Sequence, residues 1–151
     1  MSEPELNADM ARGLAALLDE LVPPSEDGRM PGAGELGLGP TIHANAPDMR
    51  LVIEQGLAAL DERARSRGAQ DFAGLAKGER CAVLTEVAEV QVALVPGLVF
   101  QTYIHYYQHP RVLSGLQLEP RPPYPKGYEM EPSDLTLLDP VRKRSKLYRE
   151  C

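Results

Sequence analysis

Six prolines punctuate the stretch from Leu116 to Tyr148, at positions 120, 122, 123, 125, 132 and 140. Proline has no N–H and pushes the residue before it out of the α region. No long helix fits between Leu116 and Pro140. Yet Tyr124, Tyr128, Met130, Leu135, Leu137 and Leu138 lie among the prolines, and a solvated linker is poor in such residues. The stretch reads as an extended, proline-stiffened strap with apolar anchors. It must lie on a surface, either that of its own domain or that of another protein. A chain of about 30 residues reaches on the order of 100 Å at roughly 3.3 Å per residue, whereas a body of this size is about 30 Å across. Such a strap is long enough to wrap a partner.

Before the strap the periodicity is helical. Asn7 can cap a helix that carries Met10, Leu14, Leu17, Leu18 and Leu21 on one face, and Pro23-Pro24 stops it. A second helix opens at Asp48 and closes before Gly68, with Leu51, Ile53, Leu57, Leu60 and Ala64 along one side. Phe72 and Leu75 form a short apolar plug. A third helix has Cys81, Leu84, Val87 and Ala88 inward, and Glu79, Arg80, Glu86 and Glu89 outward. Pro96 suits the first turn of a fourth. Its residues Leu98, Val99, Phe100, Tyr103, Ile104, Tyr106 and Tyr107 leave almost no polar face, which points to a central, buried helix. His109-Pro110 ends it, and a brief helical turn fits Arg111–Gly115.

The expected fold is therefore all-α, with helices near 7–22, 48–67, 77–92 and 96–108. A helical domain spans 1–115 and the strap 116–151. Between the first two helices, Ser25 to Pro47 reads as a long irregular connection rich in Gly and Pro. It lacks the Gly-Lys-Ser/Thr ending of a phosphate loop. His43 in this loop is a candidate for a partner contact, with a solvent-facing loop histidine as the plainer alternative.

Net charge is −6, unevenly spread. The first 116 residues hold nine Lys or Arg against sixteen Asp or Glu, and this acidic body argues against nucleic acid, which needs a basic footprint. The cluster Arg142-Lys143-Arg144-Ser145-Lys146 is either a solvated end or a contact for an acidic partner. Cys81 and Cys151 make no disulfide framework, and Cys81 reads as a buried free thiol. No stretch approaches the roughly 20 apolar residues of a membrane helix, so no direct membrane insertion is expected. The acidic start Met1-Ser2-Glu3-Pro4-Glu5 has no signal-peptide pattern. The expected location is the cytoplasm, with export alongside a signal-bearing partner as the alternative.

Catalytic chemistry is hard to assemble from these residues. Histidine occurs only at 43, 105 and 109. His105 and His109 have a helical metal-ligand spacing, but zinc needs further ligands and no His-Glu-x-x-His pattern accompanies them. No catalytic, cofactor-binding or metal-ligating residue is assigned.

Two runs carry a resemblance. Tyr106-Tyr107-Gln108-His109-Pro110-Arg111-Val112-Leu113 is followed by Leu118-Glu119-Pro120-Arg121-Pro122-Pro123-Tyr124-Pro125-Lys126-Gly127-Tyr128. Together they resemble the gluconate 2-dehydrogenase subunit 3 family. The likeness is best from about Phe100 to Tyr148, and weaker at Leu14–Pro24 and Gln55–Leu84. Many members of that family carry a twin-arginine export signal, which this chain lacks. The resemblance implies a small non-catalytic subunit that binds and stabilises a large FAD-dependent oxidoreductase of glucose–methanol–choline type, acting on sugars or other alcohols. It implies FAD in the partner and no cofactor in this chain. The anchors expected to meet that partner are Tyr124, Tyr128, Leu137 and Leu138. A stand-alone helical adaptor with an unrelated partner is the competing reading.

Overall fold

The computed structural model describes residues 6–122, 124, 126, 127 and 129–145. Among them are seven α-helices and no strand, so the fold is all-α as expected. The chain divides into two compact units, Met1–Arg121 and Pro122–Cys151.

In the first unit, helix α1 spans Ala8–Leu21, α3 Arg50–Ser66, α4 Lys77–Val90 and α5 Leu94–Tyr106. These match the four expected helices to within two residues at each end. Asn7 caps α1 as its side chain suggests, with Oδ1 accepting the Met10 N–H at 2.8 Å. Leu14, Leu17 and Leu18 of α1 are buried against Ile53, Leu57 and Leu60 of α3 and Val83, Leu84 and Val87 of α4 in one core. Phe72 and Leu75 plug that core as expected. A 3-10 turn over Phe72–Gly74 holds Phe72 in place. Asp71 caps it by accepting the Gly74 N–H at 2.9 Å, and Asp61 of α3 accepts the Phe72 N–H at 3.0 Å.

The Ser25–Pro47 connection is not irregular throughout. It contains helix α2, Leu38–Asn45, followed by a 3-10 turn over Pro47–Met49. Gly37 sits at φ 65° just before α2 and turns the chain into it. Pro40 falls in the first turn, where its missing N–H has no partner to lose. The Gly and Pro that read as a loop are thus the start signals of a helix. Leu38, Gly39, Ile42 and His43 are buried. Arg50 closes its far end, donating from Nε to the His43 carbonyl oxygen at 2.8 Å and from Nη2 to that of Ala44 at 2.9 Å.

The rest of the connection is pressed onto α1. Asp19 accepts the Gly34 N–H at 2.8 Å, and Ala33 donates its N–H to the Val22 carbonyl oxygen at 3.0 Å. Gly34 is required for this approach, because a Cβ there would sit 2.1 Å from the Ala15 carbonyl oxygen.

Helix α4 is rolled relative to expectation. Its buried stripe is Val83, Leu84 and Val87, while Cys81 is exposed. Arg80 lies three residues before Val83 and so points inward with it. Its Nε donates to Glu20 Oε1 of α1 at 2.7 Å, and the Glu20 side chain is only 6% exposed. Short helix α6, Pro110–Gly115, follows α5 as expected, with His109 as its N-cap.

In the second unit the chain is not extended throughout. A 3-10 turn spans Leu135–Leu138, and helix α7 spans Asp139–Arg142.

Candidate functional site

Helix α5 carries two apolar faces. One is a stripe at every fourth residue, Leu94, Leu98, Thr102 and Tyr106, which puts the four side chains on one side of the helix. All four are buried. Leu94 packs so closely on α3 that a Cβ on Gly56 would lie 2.6 Å from its Cδ1. The Thr102 hydroxyl donates to the Leu98 carbonyl oxygen at 2.6 Å, so no polar atom of that side chain is stranded. Tyr106, 2% exposed, donates its hydroxyl to the Pro31 carbonyl oxygen at 2.7 Å. Burial pushes its pKa above the ordinary tyrosine value, and the neighbouring Tyr107 adds to the shift.

The opposite side of α5 faces outward. Phe100 is 65% exposed, and Tyr103, Ile104 and Tyr107 are also exposed. This corrects the expectation of a helix buried on all sides, since the core needs only one stripe of it. Tyr107 meets Tyr103 edge to face, with ring centroids 5.6 Å apart, and meets buried Tyr106 in the same manner at 5.2 Å. Tyr103 and Tyr107 are therefore held against one another, and Tyr107 against the buried Tyr106. From Val90 to Pro110 there is no Asp, Glu, Lys or Arg, so the face carries no formal charge. Val90 and Val92, at the turn between α4 and α5, extend the exposed apolar surface. A shallow groove of about 420 Å³ is lined by Cys81, Leu84, Thr85, Ala88 and Glu89 of α4 and Val95 of α5.

A second set of exposed apolar residues lies in the second unit. Tyr124, Met130, Leu135, Leu137, Leu138 and Val141 are all exposed. Of the expected anchors, Tyr124, Leu137 and Leu138 are thus solvent-facing, while Tyr128 lies outside the described residues. Asp134 fixes the turn that bears the leucines. Its carboxylate accepts the Thr136 hydroxyl at 2.6 Å and the Thr136 N–H at 3.0 Å. Those two bonds, the hydroxyl first, hold its pKa below the ordinary carboxylate value.

His43 is placed differently from both sequence readings. It is 3% exposed on α2, with no face toward solvent. Its Nε2 makes no hydrogen bond among the described residues and lies 3.8 Å from Glu54 Oε1.

The His105–His109 pair does not share a helix face. Helix α5 stops at Tyr106, and His109 Nδ1 accepts the Arg111 N–H at 3.3 Å at the start of α6. Among the described residues no group of three His, Cys, Asp or Glu side chains is placed to hold a metal ion. No single described helix is long and apolar enough to cross a membrane. Helices α4 and α5 pass that test only together, and they are bent by 114° where they meet.

The sequence model of gluconate 2-dehydrogenase subunit 3 matches residues 8–115. The chain belongs to the gluconate 2-dehydrogenase subunit 3 family. No curated protein and no solved structure was found to match it. The family match covers the helices from α1 to α6, and so includes both faces of α5. It ends before the proline-rich strap, so the residues from Leu118 to Tyr128 that suggested the family lie outside it. Sequence reasoning placed the candidate contacts in the strap and at His43, and assigned none to the outer face of α5. The signal was available: a helix whose polar face is absent has a second apolar side, and burial is only one way to satisfy it.

Proposed function

We propose that this chain is the non-catalytic small subunit of a large FAD-dependent oxidoreductase of glucose–methanol–choline type, acting on sugars or other alcohols. It binds and stabilises that subunit, which holds the FAD. Family membership supports a place in a dehydrogenase complex. The observation that carries the docking reading is the outer face of α5, where Phe100, Tyr103, Ile104 and Tyr107 stand exposed opposite a buried stripe. Exposed aromatic residues suit an interface, because they bury much apolar area and have few side-chain torsions to freeze. The face lies within the part of the chain that the family shares.

Co-expression tests this reading. The chain, tagged, is produced together with a candidate FAD-dependent large subunit and purified. A stable complex with flavin absorbance, and alcohol- or sugar-dependent reduction of a dye by the complex but not by the chain alone, is the expected result. A chain that purifies alone beside a soluble, active flavoprotein contradicts it and favours a stand-alone adaptor.

A further inference from the structure

We draw no further inference here: the strongest candidate, the buried His43 imidazole of α2 with its unpartnered Nε2 3.8 Å from Glu54 Oε1 of α3, carries nothing, because among the described residues no third His, Cys, Asp or Glu side chain joins the two to hold a metal ion and Nε2 is closed off from any ligand in solvent.

Discussion

The hydroxyl of Tyr106, at the end of α5, donates to the backbone carbonyl oxygen of Pro31 at 2.7 Å, joining residues 75 apart in sequence. The bond is buried and fastens the connection between α1 and α2 to the helix that carries the candidate docking face. Tyr106→Phe keeps the ring and removes the hydroxyl. The Pro31 carbonyl oxygen is then buried without this donor, which should cost about 1–3 kcal/mol. Chemical denaturation with a constant slope is the check.

The same tyrosine gives a pH dependence. Its folded pKa is raised by burial. Its contribution is fully present below the unfolded tyrosine value and is lost as pH rises through the folded one. Stability should fall on the alkaline side of pH 10, and Tyr106→Phe should flatten that part of the curve. An unchanged alkaline limb in the variant would count against the burial argument.

The ion pair between Arg80 and Glu20 ties α4 to α1. Arg80→Met leaves a nearly buried carboxylate without its cation, and should destabilise by about 2–4 kcal/mol. Adding Glu20→Gln to the same chain should recover much of the loss, because the stranded charge is gone. A double variant no better than the single one would show that the pair acts by packing alone.

Two glycines should respond in opposite ways to the same methyl group. At Gly34 the new Cβ would strike the Ala15 backbone, which cannot yield. Gly34→Ala should cost about 3 kcal/mol or more, in the range of severe overpacking. Gly78, in the first turn of α4, has open space around it, and Gly78→Ala should stabilise by up to about 1 kcal/mol through helix propensity. Thermal melting of the two variants is the check.

The long helices were legible because their signals are local. Asn7 as a cap, Pro23-Pro24 as a stop and Gly68 at φ 85° each act within one turn. What sequence reasoning lost depends on the partner surface across the core. Cys81 reads as inward by its spacing to Leu84, yet the stripe settles on Val83 and Val87, because Arg80 is drawn in by Glu20 from a distant helix. Helix α2 was hidden by Gly37, Gly39 and Pro40, which mark a loop or a helix start equally well until Leu38 and Ile42 are seen to be buried. With α2 hidden, His43 seemed to lie on the surface. The candidate docking face of α5 was missed for a different reason. An apolar pattern reports which residues avoid water, and not whether their own chain provides the cover.

That face of α5 is probed most directly by Phe100→Asp. Phe100 is largely exposed, so the substitution should leave the fold and melting temperature of the free chain within a few degrees of wild type. Titration of the variant against a purified FAD-bound large subunit that the wild-type chain binds should give an affinity about 100-fold or more below wild type, as for an aromatic hot spot replaced by a buried charge. Binding equal to wild type by a correctly folded F100D chain would contradict the account.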